Sequence, residues 1–256
     1  MLVVRDRERA KEALETAARE TGIDAKSIAI EERLEAIEDV ELVAETIPED
    51  LVMKRRLYGE IEALVEPHVP IASGTSSFVP DALATELANP GRLIVAHMVH
   101  PVTTFPIVEL VAPSNVDAVA LTTVERWISA LGMRAIRLRS PIAGFIVNRL
   151  QFALVREASR LVEEGIVDAE EVDAVVEYAL GPRWAATGPL ASVELGGRRT
   201  FATIARHLTP ELDARDRIPL LENEAPLRAW SDEDRAAARE LRTRVYQAIE
   251  AVRETS

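Results

Sequence analysis

Apolar residues fall in short runs through the first 140 positions and in spaced stripes after them. MLVV at 1–4, SIAI at 27–30, ELVAE at 41–45, VPIA at 69–72, LIVAH at 93–97, IVELVA at 107–112 and AIRLR at 135–139 have the length and content of strands. Helical periodicity fills 7–20, about 49–65, 79–87 and 115–131. Strands that are apolar on both faces and alternate with helices predict a mostly parallel, doubly wound α/β sheet covered by helices.

Near residue 141 the pattern changes. No convincing strand follows Pro141, and 148–165 reads as a long helix closed by Gly165. A second helix, capped at Asp168, is expected to close at Gly181, and further helices are expected at about 198–208 and at 231–254. Ser231 and Asp234 form an N-cap pair for the last one. The predicted division is therefore an α/β domain at 1–140 and an all-helical domain at 141–256. In the last helix Ala238, Leu241, Val245 and Ile249 share one stripe, suited to packing on the protein's own body or on a second subunit.

Composition narrows the function classes. A net charge of −13 gives no electrostatic footprint for nucleic acid. The acidic residues are interspersed with Arg and Lys on amphipathic faces, which speaks to solubility alone. The absence of cysteine removes disulfides, thiolate metal sites and cysteine nucleophiles. No stretch approaches eighteen uninterrupted apolar residues and the start turns charged at once, so no membrane span or secretory signal is expected and the chain reads as cytoplasmic. Glycine is scarce, 11 residues with no G-x-G spacing, where average usage would give roughly eighteen.

Four segments carry candidate chemistry. His97 ends a strand at AHMVHP, where a parallel strand delivers side chains to a cleft. Glu109 lies inside the next strand between Val108 and Leu110, where a carboxylate is costly to bury unpaired. A histidine on the neighbouring strand is a fitting partner, with one ring nitrogen held by Glu109 and the other left to take a proton. The alternative is a solvent-facing Glu109 and a structural loop histidine. Thr75, Ser76 and Ser77 follow the VPIA strand at the same edge, as substrate-facing hydroxyls or as a helix cap. Asn148 begins the helix after the change of pattern, where its amide reaches back to the cleft or caps a turn. A metal trio of His97, His100 and Glu109 lacks a third ligand at a recognisable spacing, and no metal site is expected. His68 and His207 read as structural.

In this order the segments TSS, H-x-x-x-P with a glutamate twelve residues after the histidine, and P-x-x-G-F-I-V-N-R resemble the L-3-hydroxyacyl-CoA dehydrogenase family, over about residues 2–210. GPRWAATGP (181–189) and PVTTFPIVELV lean towards the branch with lambda-crystallin and L-gulonate 3-dehydrogenase, and GRRTFATIARHLTPEL towards the bacterial 3-hydroxybutyryl-CoA type. The resemblance implies a Rossmann-like NAD-binding sheet followed by a helical substrate and dimerisation domain. It also implies an NAD-linked oxidation of the secondary alcohol of a 3-hydroxyacyl-CoA or small 3-hydroxy acid, and a homodimer. His97 would be the general base, Glu109 its orienting partner, Ser76 the donor to the substrate hydroxyl and Asn148 a support for the reacting end. Asp6, Glu45 and Lys54 would be cofactor-binding positions, Asp6 at the adenosine ribose. His100 stands where the family usually has asparagine.

The larger departure is at the start. The ribose-binding acid belongs about 20 residues after a G-x-G-x-x-G turn, yet it is residue 6 and no later segment supplies the turn. An N-terminally truncated sheet is expected, with two strands left unpaired on one edge and weak or no NAD binding. A start at an internal methionine, a missing unit supplied by another chain, and a degenerate non-catalytic relative acting as a dimeric scaffold are the competing accounts.

Overall fold

A computed structural model describes residues 1–222, 227 and 230–255. The chain divides into two compact units, Met1–Asn148 and Arg149–Ser256, a boundary later than the change of pattern near 141.

The first unit is α/β. Its elements run β1 (Leu2–Val3), α1 (Arg7–Thr21), β2 (Ile30–Glu31), β3 (Val43–Glu45), α2 (Leu51–Leu64), β4 (Ile71–Ser73), α3 (Pro80–Leu83), β5 (Leu93–Met98), β6 (Ile107–Val111), α4 (Ala118–Ala130) and β7 (Arg134–Arg137). Every predicted strand has a counterpart. The helix expected at 79–87 shrinks to one turn, because Pro80 opens it and Glu62 accepts from the N–H groups of Ala88 and Asn89 at 2.7 and 2.9 Å, ending the segment in a loop. Asp50 and Asp117 cap α2 and α4 by accepting from the first-turn N–H groups, as short polar side chains do at helix starts.

The sheet is interrupted. β1 and β2 form a separate parallel pair, and the five-stranded sheet runs β3-β4-β5-β6-β7. Among the described residues β1 pairs only with β2 and β3 only with β4. The ladders are parallel except between β5 and β6. That antiparallel pair sets His97 directly opposite Glu109.

Alternation along the strands builds a core on each face of the sheet. Ile71, Leu93, Val95 and Val111 pack with Tyr58 and Ile61 of α2 and with Phe145. Ala72, Ile94, Ala96, Val108 and Leu110 pack with Leu121, Val124 and Ile128 of α4. His97 and Glu109 share the parity of Val95 and Val111, which puts both on the α2 face.

The second unit is helical, and the described residues after 141 contain no strand. Helix α5 (Val147–Glu163) ends at Gly165, whose φ of 66° allows Ile166 N–H to reach back to the Leu161 carbonyl. A capping box between Asp168 and Glu171 starts α6 (Ala169–Val175). Gly181 does not close the next helix as expected: a π turn at Val176–Leu180 carries the chain into α7 (Gly181–Gly196), which kinks at Gly188. Helices α8 (Arg198–Leu208), α9 (Pro219–Glu222) and α10 (Asp232–Glu254) follow, α10 with the expected Ser231–Asp234 capping box.

Candidate active site

The site is built from the residues at the ends of β4 and β5, from β6, and from the segment leading into α5. His97 is buried on β5, and its Nδ1 lies 2.8 Å from Oε2 of buried Glu109 on β6. An ionised carboxylate only accepts, so Nδ1 carries a proton and donates, and in the neutral ring Nε2 is the nitrogen with the lone pair. No other hydrogen bond to the imidazole is made among the described residues. The second oxygen of Glu109 accepts from the backbone N–H groups of Ile146 at 2.7 Å and Val147 at 3.1 Å, at the amino end of α5. Burial by itself raises the Glu109 pKa. The bond from His97 and the two N–H donors outweigh it and hold the group below the ordinary carboxylate value.

Phe145 closes this pair on the core side. It is fully buried, its ring centroid is 5.3 Å from that of His97 with the planes 48° apart, and its backbone is left-handed at φ 50°.

The Thr75–Ser77 turn follows β4. Gly74 sits so close to the Glu45 carbonyl that an added Cβ would meet that oxygen at 3.0 Å, which makes glycine the fitting residue there. Ser76 is exposed, and its hydroxyl makes no hydrogen bond among the described residues. Asn148 Nδ2 donates to the Ser76 carbonyl at 2.7 Å, and Gly144 N–H reaches the Ser77 carbonyl at 3.5 Å. Residues 144–148 therefore touch both halves of the site: they hold Glu109 through Ile146 and Val147, and the serine turn through Gly144 and Asn148. The structure brings together His97, Glu109, Ser76 and Asn148 in this way.

Glu49 is a residue that sequence reasoning missed. Its Oε1 accepts from Ser76 N at 3.1 Å, Ser77 N at 3.0 Å, Ser77 Oγ at 2.7 Å and Thr75 Oγ1 at 2.5 Å, so one carboxylate organises the whole turn. Burial opposes its ionisation, but the Thr75 and Ser77 hydroxyl bonds, Lys54 and the Ser76 N–H lower its pKa. The only local signal is its position just before the Asp50 cap.

The three cofactor candidates are placed differently. Lys54 and Glu45 are both buried and pair with each other at 2.8 Å. Glu45 also accepts from Tyr58 and, at 3.0 Å, from Ser73 Oγ, while Lys54 donates to the Ile47 carbonyl at 3.1 Å and lies 3.6 Å from Glu49. Burial and the neighbouring Glu45 push the Tyr58 pKa up, so the phenol is a donor throughout the ordinary pH range. This network stands behind the serine turn, where it is spent on protein partners. Asp6 is exposed and caps α1, accepting from Arg9 N–H at 3.0 Å. His100, His68 and His207 are exposed.

The sequence matches two profiles: residues 3–140 match "3-hydroxyacyl-CoA dehydrogenase, NAD binding domain" and residues 144–228 match "3-hydroxyacyl-CoA dehydrogenase, C-terminal domain". The chain belongs to the 3-hydroxyacyl-CoA dehydrogenase family. It is 35% identical over 173 residues to lambda-crystallin of Oryctolagus cuniculus, covering 68% of this chain and 54% of that protein. It is 35% identical over 193 residues to L-carnitine dehydrogenase of Streptomyces coelicolor, covering 75% and 61%. Among solved structures it resembles 5-formyl-3-hydroxy-2-methylpyridine 4-carboxylic acid 5-dehydrogenase, described as an NAD+ dependent dismutase, with a TM-score of 0.84, 25% identity and coverage of 96% and 87%. A 3-hydroxyacyl-CoA dehydrogenase of Archaeoglobus fulgidus superposes with a TM-score of 0.68 at 32% identity, covering 78% and 69%. The chain spans 54% and 61% of the length of the lambda-crystallin and L-carnitine dehydrogenase relatives.

NAD is the cofactor of this family's first domain. The 256 residues contain no G-x-G spacing of the kind that holds its pyrophosphate. Such a group needs a glycine-rich turn whose backbone N–H groups open onto it at a helix start. At the β1–α1 junction Asp6, which the resemblance puts at the adenosine ribose and not at the pyrophosphate, caps α1 by accepting from the first-turn N–H of Arg9.

Proposed function

We propose that this chain carries the proton-handling and substrate-binding part of an NAD-dependent dehydrogenase acting on the secondary alcohol of a 3-hydroxyacyl-CoA or a small 3-hydroxy acid. The observation that carries this reading is the buried His97–Glu109 pair at 2.8 Å. In the forward direction Nε2 of His97 takes the hydroxyl proton as the carbon gives up hydride, and Glu109 stabilises the imidazolium that forms. The free hydroxyl of Ser76 donates to the reacting oxygen, and Asn148 holds the serine turn in place through the Ser76 carbonyl. NAD is the hydride acceptor in the family. The kinship with L-carnitine dehydrogenases and with 3-hydroxyacyl-CoA dehydrogenases supports both substrate classes.

The test is NADH formation from 3-hydroxybutyryl-CoA, L-carnitine and L-gulonate, by this chain and by the chain with a G-x-G-x-x-G strand–turn–helix unit joined ahead of residue 1. Turnover in the joined protein supports the reading. Turnover in neither protein would decide for the non-catalytic scaffold reading.

The helical unit supports a homodimer as the working form. Among its described residues no apolar side chain is buried, and Tyr178, Leu190 and Leu195 are 83%, 82% and 77% exposed. Leu241 and Val245 of the α10 stripe are exposed as well, while Ala238 and Ile249 are half-buried. So much uncovered apolar surface marks an interface. Light scattering should give twice the 28.2 kDa chain mass; a monomer at working concentration refutes the dimer.

A further inference from the structure

Phe145 is the one non-glycine among the described residues with a left-handed backbone, and it follows Gly144, whose φ is 73°. Glycine takes such a conformation freely, whereas a residue with a bulky side chain holds it only when its surroundings over-determine it. Those surroundings are the two halves of the site. The Phe145 ring is completely buried against the His97 imidazole, and the next two residues give their N–H groups to Glu109. We infer that Phe145 is a positioning residue for the His97–Glu109 pair, its ring fixing the plane of the imidazole while the turn it occupies fixes the carboxylate. The inference rests on His97 being the base of the proposed reaction.

The physical argument concerns rotation. A histidine ring keeps one productive orientation only if both its nitrogens and its faces are constrained. Glu109 constrains Nδ1 and no hydrogen bond constrains Nε2, so the plane depends on what packs on the ring. The ring contact that the structure provides is Phe145. A leucine there keeps apolar volume but leaves a gap along the imidazole face. The imidazole then rocks away from Glu109, water reaches Nδ1, and the proton divides between the two nitrogens.

The experiment reads the tautomer directly, by long-range proton–nitrogen correlation spectra of the imidazoles in the full 15N-labelled chain. Four histidines are present, and His97→Ala identifies the signals of interest. The unaltered protein should show a single neutral tautomer protonated at Nδ1. Phe145→Leu removes the ring but keeps volume, and Phe145→Gly removes it while suiting the left-handed backbone. In each folded variant the second tautomer should rise above the ~10% ceiling typical of a minor state. Phe145→Tyr, which restores a ring, should restore the single pattern. Retention of one sharp Nδ1–H tautomer in either ringless variant overturns the assignment. With an active protein, the same variants should lose roughly ten- to hundred-fold in kcat at nearly constant KM; a change confined to KM also overturns it. Absence of turnover in the protein joined to a glycine-rich strand–turn–helix unit would refute the dehydrogenase reading, and the imidazole spectra would still decide the role of Phe145.

Discussion

Replacing Glu109 by glutamine alters little of the shape of the site and most of its electrostatics. The carboxylate accepts at both ends, from His97 Nδ1 at 2.8 Å and from the Ile146 and Val147 N–H groups at 2.7 and 3.1 Å. A glutamine has one accepting oxygen. If its amide nitrogen faces Ile146 and Val147, two buried donors meet a third. If it faces His97, the imidazole must accept at Nδ1 and carry its proton on Nε2, the wrong tautomer for a base. A buried donor without a partner costs about 1–3 kcal/mol, so the variant should lose roughly 2–4 kcal/mol of stability, about 4–16 °C in Tm for a domain of this size. Its kcat/KM should fall by about 10²–10⁴ in an active protein, the range of a misplaced general base.

The loss depends on pH in a defined direction. The folded protein holds the Glu109 pKa below its ordinary value of 4.5. Its ionised form therefore contributes stability that is complete above about 4.5 and lost as pH falls through the folded value. Glutamine lacks that contribution, so the Tm gap between the two proteins should be widest near neutrality and narrow in acid. Differential scanning calorimetry across pH reads it. A gap that stays constant or widens in acid, or a variant of unchanged Tm and turnover, would refute the reasoning.

Other outcomes follow from the same structure. Lys54→Met leaves the buried Glu45 carboxylate without its cation and should cost about 3–5 kcal/mol in urea unfolding, with the double change Lys54→Met, Glu45→Gln milder than the single one. Gly91→Ala would bring a Cβ to 2.6 Å from the Asn115 carbonyl and 3.1 Å from Asp117 N, and should cost roughly 1–3 kcal/mol because backbone must move. Glu49→Ala frees the two hydroxyls and two N–H groups of the serine turn and should raise amide exchange at Ser76 and Ser77, with Glu49→Gln intermediate; unchanged exchange would show that the turn holds itself. Isothermal titration of this chain with NAD should give no low-micromolar binding, and a clean low-micromolar isotherm would show that the pyrophosphate is held without a glycine-rich turn.

The strands and most helices were legible in the sequence because each carries its own periodicity and caps. The His97–Glu109 pair was legible because a carboxylate between Val108 and Leu110 demands a partner, and the histidine one strand away was at hand. The antiparallel sense of β5 and β6 was not, since it depends on the loop from Val99 to Pro106 returning beside its own strand and not crossing over. Glu49 and Phe145 escaped for a related reason. Glu49 meets hydroxyls 26 to 28 residues on, and Phe145 meets a ring 48 positions back, distances at which no local spacing rule operates. The resemblance makes Glu45 and Lys54 cofactor positions, and their mutual pairing through α2 was not legible along the chain. Gly181 resembles a helix stop, yet its backbone stays right-handed and the π turn absorbs it.

The most direct measurement is the rate of NADH formation by the protein joined to a glycine-rich strand–turn–helix unit, with its best 3-hydroxy substrate, before and after His97→Ala. If Nε2 of His97 removes the hydroxyl proton, the substitution should lower kcat by about 10²–10⁴ and leave the fold intact. A His97→Ala protein that turns over at the unaltered rate would contradict the assignment of the base and, with it, the reading of this site.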